Sequence, residues 1–433
     1  MSRIGAEARW IPLLTGRAAE RALEAVEEIA AELPEATEPN IEDRPGRGAS
    51  LAGGCAGFAL FYGYLARVTG DEAHAETAAR YLDQAIDAVA AQVTRPGLYS
   101  GFTGVAWVAE HLTGRIFEPE DDEEDANEEV DRAVAALLDQ TPWRADYDLI
   151  SGLVGFGVYA LERRHRPAGR AILERVVERL DELAVPNGDG LTWFTPPEIL
   201  PPHQREQSPE GCFNVGVAHG VPAVLPLLAR TAAASVSRER ARALLDGGVR
   251  WLQDEKGRVE GVSLFPYSIG TGGSRHPSRL AWCYGDLGVA AALLDAAASA
   301  GEPAWWEEAV DIAHHAARRS WESAGVHDAC LCHGAAGNAH VFNRLYQATR
   351  DNALGAAARA WFDRALELRR PGEGVAGFPS WGPQQVGEEP RWTDDASFLT
   401  GAGGVGLALL AAVTDVAPDW DRVLAISVPP APP

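Results

Sequence analysis

The sequence predicts an all-α protein, an α/α toroid in which an inner ring of about seven helices sits inside an outer ring of about seven more. Three observations point there. A glycine, two residues and a second small residue recur seven times in the 433-residue chain, the first glycine falling at 54, 101, 152, 220, 285, 334 and 401. Each copy opens a strongly apolar run with no polar face, the signature of a helix buried on every side. Between the runs lie segments whose apolar residues return on one side only, as in an amphipathic helix. A two-helix unit of this kind cannot cover its own apolar face and must stack on copies of itself. Seven copies with a fully buried inner member fit a closed ring better than an open stack.

Taken in order, the elements are these. The opening segment "MSRIGAEARWIPLLTG" lacks the apolar core of a signal peptide, and Leu23, Val26, Ala30 and Leu33 then mark a surface helix that leads into a linker ending near residue 49. The first copy, "LAGGCAGFALFYGYLA" from Leu51, is followed by an outer helix read from Leu82, Ile86, Val89 and Val93. The second is "LYSGFTGVAWVAEHL" from Leu98, and the acidic run "EPEDDEEDANEEVD" after it reads as a solvated loop and helix start with no metal role. The third to seventh copies begin at Asp148, Gly216, Trp282, Leu331 and Phe398. Their intervals of 68, 65 and 67 residues exceed the others, and each long one holds an insertion: "GLTWFTPPE" from Gly190, "GVSLFPYSIG" from Gly261 and "VAGFPSWGP" from Val375. Aromatic and proline-rich, these predict loops or short β-hairpins crowding one end of the ring. A proline-rich tail covers 427–433, and the whole of 1–433 is read as one domain.

Composition narrows the function. A formal charge of −24 argues against nucleic acid and against an anionic membrane face, both of which need clustered Lys and Arg. No run approaches the roughly 20 apolar residues of a membrane span, so a cytoplasmic protein without membrane insertion is expected. Five cysteines, an odd count at irregular spacing, read as ligands or buried thiols rather than as a disulfide framework. Cys55 and Cys212 are taken as structural.

The residues just before the glycines should line one mouth of the ring. Directly before the first glycine the seven copies carry Gly53, Ser100, Ser151, His219, Tyr284, His333 and Thr400; one residue earlier, two adjacent copies carry Cys283 and Cys332. A lone Cys before a Gly is often only a small buried residue. Here two occupy matching positions, and His333 adjoins one of them. Neighbouring side chains diverge by about 100° on a helix, but a glycine-bounded turn can aim both at one ion. Cys283, Cys332 and His333 are therefore the candidate ligands of a Zn²⁺ ion with one position open, with Cys330 a spare thiol or a competing ligand. Two thiolates neutralise the charge of Zn²⁺, which favours holding a substrate thiolate over activating water. His219 is a candidate acid or base. Asp148 either orients it or simply caps a helix, and Arg279 either offsets charge on a carbonyl oxygen or forms a surface ion pair.

With the glycine motifs, "NVGVAHGVP", "SRLAWCYGDLG" and "LCHGAAGN" together resemble the lanthionine synthetase C-like family, from about residue 50 to about residue 413. The resemblance implies a zinc-dependent lanthipeptide cyclase that adds cysteine thiols of a dehydrated precursor peptide to dehydroalanine or dehydrobutyrine. It places the zinc ligands on Cys283, Cys332 and His333, and further site residues on His219, Asp148, Arg279 and Tyr284. It also implies Arg279 steadying the enolate and His219, oriented by Asp148, moving a proton. "WCYG" in place of "WCHG" lies closer to the dedicated bacterial cyclases than to the eukaryotic relatives. The first 50 residues leave no room for a kinase, lyase or dehydratase module, so a separate dehydratase is expected. Competing readings are addition of a small free thiol such as glutathione, a zinc-containing scaffold without catalysis, and a glycoside hydrolase, which would need two opposed carboxylates.

Overall fold

Helices alternate between inner and outer positions along the chain. A computed structural model describes residues 9–43, 48–118, 125–383 and 388–431. The first half runs α1 (Gly16–Asp43), α2 (Cys55–Thr69), α3 (Glu72–Ala91), α4 (Phe102–Leu112), α5 (Glu128–Leu138), α6 (Leu153–Glu162) and α7 (Pro167–Leu183). Strands β1 (Ala184–Asn187) and β2 (Gly190–Thr195), the short α8 (Pro202–Gln207) and β3 (Cys212–Asn214) lead to α9 (Val221–Ala233) and α10 (Arg238–Glu255). After β4 (Pro266–Gly270) and β5 (Arg275–Pro277) come α11 (Asp286–Ala300), α12 (Pro303–Ala317), the short α13 (Trp321–Ala324), α14 (Ala335–Thr349) and α15 (Asn352–Glu367). A hairpin, β6 (Ser380–Gly382) and β7 (Arg391–Thr393), precedes α16 (Ala402–Val413).

The seven apolar runs are α2, α4, α6, α9, α11, α14 and α16, and each packs on the next until α16 returns to α2 and closes the ring. Their residues are mostly buried on every side, with exposure concentrated in the last turns, as the missing polar face requires. Outer helices cover them, and α1 serves as the outer partner of α16, so the last motif is completed by the helix that precedes them all. No helix among the described residues is long and apolar enough to cross a membrane.

The outer faces differ from the sequence expectation. On α3 the buried residues are Ala78, Tyr81, Leu82 and Ala85, while Ile86 is exposed and Val93, expected on the same face, lies exposed beyond the helix end. On α1 Ala22, Ala25, Val26, Ile29 and Leu33 are buried and Leu23 is not. Alanines line the closest approach to the inner helix because a methyl group lets the backbones come near, which rotates the buried stripe by about one residue. The acidic run is also corrected. Residues 119–124 lie outside the described residues and Glu128 and Glu129 are exposed as expected, but Asp131 is buried and Asp125 only partly exposed: with Glu110 they surround the fully buried Arg163 guanidinium, Asp131 Oδ2 lying 2.6 Å from Nη2. A buried guanidinium gathers carboxylates because an unpaired charge there would be costly.

The glycine motif is explained by two close approaches. At the first glycine of five copies the preceding turn brings the carbonyl six residues back against Cα, a Cβ on Gly101 lying 1.8 Å from Arg95 O, whereas at Gly334 the crowding atoms are Cys330 N and O; Gly285 also holds φ +107°, open to few other residues. At the second small residue the apolar side chain three before the first glycine of a neighbouring copy presses in. Leu51 Cβ meets Gly104, Leu98 Cβ meets Gly155 and Phe398 Cβ meets Gly57. The turn is started in three copies by an Asx contact, in which Asn214, Asp328 and Asp395 accept the N–H of Gly216, Cys330 and Ser397.

These turns form a belt around the mouth. In six of the seven copies the residue two before the first glycine donates its N–H to its counterpart in the next copy: Ala52 to Tyr99, Tyr99 to Ile150, Ala218 to Cys283, Cys283 to Cys332, Cys332 to Leu399, and Leu399 back to Ala52, at 2.8–3.3 Å. The insertions are hairpin strands, as expected. Those of the third and fourth intervals join one antiparallel sheet, β1-β2-β3-β4-β5, because consecutive copies bring β3 beside β4; the third insertion lies two copies on and pairs only as β6–β7. Below the belt, a 3-10 turn at Asp419–Leu424 and the chain to Val428 fill the lumen, with Trp420, Val423, Leu424, Ile426 and Val428 buried.

Candidate metal centre and active site

The belt bond from Cys283 N–H to Cys332 O sets two cysteine-bearing turns side by side. The Cys283 and Cys332 sulfurs and a His333 ring nitrogen all lie within 4.8 Å of one another, a group that can hold a metal ion. Cys283 is buried, whereas Cys332 and His333 are half-buried on the side facing the mouth. A hydrogen bond with Cys332 holds the Cys283 thiol well below the ordinary value, against burial and with help from His333 and the Arg279 charge. That same contact drives Cys332 well above it. The Cys330 sulfur, and after it Cys283, push His333 well above the usual imidazole range.

Cys330 belongs to a different group. With Asp328 it meets His333 within 4.8 Å but does not join the Cys283–Cys332 set, and burial pushes its thiol up to about 11. Among the described residues the three-donor group therefore has no fourth protein ligand.

Two copies back along the same mouth, His219 Nδ1 lies 2.5 Å from Asp148 Oδ2, and Asp148 Oδ1 accepts the Ser151 N–H at 2.8 Å. Asp148 thus acts both as a turn cap and as the partner of His219. Burial alone would lower the His219 pKa, but the hydrogen bond and charge of Asp148 outweigh it and hold the imidazole above its ordinary value. The side chain keeps 44% of its surface open to the mouth. Tyr284 joins the two clusters: its ring stacks on Tyr267 at 3.9 Å, lies 6.4 Å from the His219 ring, and its hydroxyl accepts from Asn214 Nδ2 at 3.1 Å. Arg279 is exposed on the rim with no ion-pair partner among the described residues, and it lines a cleft of about 590 Å³ together with His333, His327, Asp328 and Trp381. The β6–β7 hairpin walls this cleft, its Trp381 backbone N–H held by Asp328 Oδ2 at 2.8 Å.

The family model described as "Lanthionine synthetase C-like protein" matches residues 46–425. The chain belongs to the lanthionine synthetase C-like family. A curated relative, nisin biosynthesis protein NisC of Lactococcus lactis subsp. lactis, is 25% identical over 347 residues, 74% of this chain and 80% of that protein. Among solved structures, a nisin cyclase superposes with a TM-score of 0.71 at 19% identity, covering 93% of this chain and 97% of the other, which shows a shared fold.

Seven residues singled out in the sequence thus fall on one mouth of the ring, in a metal-type triad, an imidazole–carboxylate pair, a stacked tyrosine and an exposed arginine. Apart from Arg279, sequence reasoning passed over the column six residues before the first glycine, which reads Arg95, Asp146, Asn214, Arg279, Asp328 and Asp395 in copies two to seven. Within it, Asn214 holds Tyr284, Asp328 anchors the hairpin, and burial with the charge of Asp148 raises Asp146 to about 6. The signal was the same repeat, read four positions further upstream.

Proposed function

We propose that this chain is a zinc-dependent lanthipeptide cyclase that closes thioether rings on a dehydrated precursor peptide. The observation that carries the reading is the convergence of Cys283, Cys332 and His333, from consecutive copies, on the mouth that also holds the Asp148–His219 pair. Two thiols and an imidazole without a fourth protein donor suit Zn²⁺ with a position left for substrate. Bound there, the ion would give the peptide's cysteine sulfur a soft, acidifying seat that keeps it ionised at neutral pH.

The chain's own residues account for the rest. The reaction breaks an S–H bond, forms a C–S bond at the β-carbon of the dehydro residue and returns one proton to its α-carbon, so mass is conserved. His219, whose imidazole Asp148 holds above its ordinary pKa, moves a proton to or from the enolate. Arg279 meets the negative charge that develops on the carbonyl oxygen as the C–S bond forms. Tyr284, locked by Tyr267 and Asn214, fixes the floor beside His219. The dehydro residues arise from Ser and Thr by loss of water, a step we assign to a separate dehydratase, and the natural setting is the cytoplasm.

The test supplies purified, zinc-loaded protein with a dehydrated peptide and follows free thiol and mass together. Thiol lost at constant mass supports cyclisation. A mass gain matching added glutathione would favour the small-thiol reading, and no thiol loss under either condition would leave a scaffold.

A further inference from the structure

The lumen beneath the belt is filled by chain, and that filling reaches the metal triad through two aromatic side chains. Trp282, which immediately precedes Cys283, is 1% exposed and donates its indole N–H to Leu424 O at 2.8 Å. Tyr99 occupies, in the second copy, the belt position held by the cysteines in the fifth and sixth; its hydroxyl donates to Val423 O at 2.8 Å. The two rings lie 6.2 Å apart across the lumen. Phe398, beside the Leu399 that receives the Cys332 N–H, meets Trp420 edge-on at 5.9 Å. Three belt turns are thus braced from below by the segment Asp419–Val428.

That segment is itself firmly fixed. Asp421 is fully buried and receives Arg344 Nε at 2.8 Å and His340 Nε2 at 2.9 Å. Arg344 and Arg230 also donate to the carbonyls of Val428 and Ser427. The belt bond that spaces the two thiols, Cys283 N–H to Cys332 O, is 3.3 Å, at the long end of the belt and weak by its geometry. Cys283 O accepts the Ala218 N–H at the same 3.3 Å, and the adjacent Trp282 indole adds a shorter bond, 2.8 Å to Leu424 O, that ties this turn to the lumen.

We propose that Trp282 is a positioning residue for the metal triad, and that the lumen segment Asp419–Val428 sets the Cys283-to-Cys332 spacing by anchoring its indole. The inference rests on the triad being the metal site, but it concerns thiol geometry and is testable with or without metal. Groups hydrogen-bonded directly to metal ligands typically change affinity about 10- to 100-fold, and Trp282, which acts on Cys283 through the chain, is expected at the low end of that range.

The experiment compares Trp282→Phe, which keeps an aromatic ring and removes only the N–H, with Trp10→Phe, which removes an equally buried indole bond to Ala411 O. In metal-free full-length protein, a short bis-alkylating reagent reports the yield of the Cys283–Cys332 crosslink by peptide mass spectrometry. In zinc-loaded protein, competition with a chromophoric chelator reports affinity. Both variants should melt at a lower temperature than the parent. Only Trp282→Phe should lose crosslink yield several-fold and weaken zinc binding at least ten-fold, with Tyr99→Phe intermediate. Unchanged crosslinking in Trp282→Phe, or an equal loss in Trp10→Phe, would overturn the proposal. The metal-free arm decides it even if the parent binds no zinc, an outcome that would instead sink the cyclase reading.

Discussion

Replacing Asp148 by Asn tests the proton-transfer pair with little change of shape. Asn retains an acceptor for the Ser151 N–H but exchanges a carboxylate for a neutral amide at 2.5 Å from His219 Nδ1. A charge-assisted hydrogen bond contributes about 1.5–3 kcal/mol. Because His219 is 44% exposed, solvent screens part of this and the lower end applies; at about 1.4 kcal/mol per decade, cyclisation should slow about ten-fold. The pH dependence carries the sign. Asp148 holds the folded His219 above 6.5, so the pair's extra stability is fully present below 6.5 and is lost as pH rises through the higher folded value. Parent and variant should therefore differ most in urea midpoint near pH 5.5 and converge in alkali, and the limb of the rate profile belonging to His219 should move to lower pH. The assay is thiol loss on a dehydrated peptide across pH 5–9 beside urea melts at the same pH values. A variant that cyclises at the parental rate with an unmoved profile would refute the assignment.

Three further outcomes are expected. Cys332→Ala should leave dialysed protein without stoichiometric metal by mass spectrometry, while Cys330→Ala should retain it, since Cys330 stands outside the triad. Arg163→Met strands three carboxylates around a buried site and should cost about 3–5 kcal/mol in urea unfolding near neutral pH; because Arg163 helps hold Asp125 below 3.8 against its burial, that carboxyl's share of the loss is present above 3.8 and fades as pH falls through its lower folded value. Gly337→Ala would set a Cβ 1.8 Å from the Leu331 carbonyl, on the loop that carries two ligands, and should destabilise by about 1–3 kcal/mol or more; Gly272→Ala, with open space around it, should stay within about 0.5 kcal/mol of the parent.

The triad was legible because the repeat supplies its own alignment. Cys283 and Cys332 occupy one column, and a closed ring makes consecutive columns neighbours. The buried inner helices were legible for a related reason, since a run such as "AGGVGLALLAAV" has no side that water could face. The phase of the outer helices was not. A pattern search weights Leu23 and Ile86 above alanine, yet backbone proximity puts Ala25 and Ala85 at the contact and leaves the larger residues outside. Charge patterning likewise misjudged Asp131, because its partner Arg163 lies 32 positions away and nothing local announces that it is buried. The lumen segment drew no reading of its own, except that Ser427 and Val428, which are buried, were counted in the proline-rich tail. Its anchors to Trp282 and Tyr99 span 142 and 324 positions and use backbone carbonyls, which leave no mark on side-chain identity.

The circular order of packing has a consequence for how the molecule is made. The seventh inner helix is covered by α1, so the seam between Leu399 and Ala52 joins the seventh copy to the first, across the widest sequence separation in the ring. Until the seventh motif has left the ribosome, α1 has no docking face and the first inner helix keeps one flank bare. Partial products would therefore show apolar surface to chaperones at both open flanks. A circular permutant cut at the exposed Gly272 turn and joined across the old ends would move that exposure to a different pair of copies.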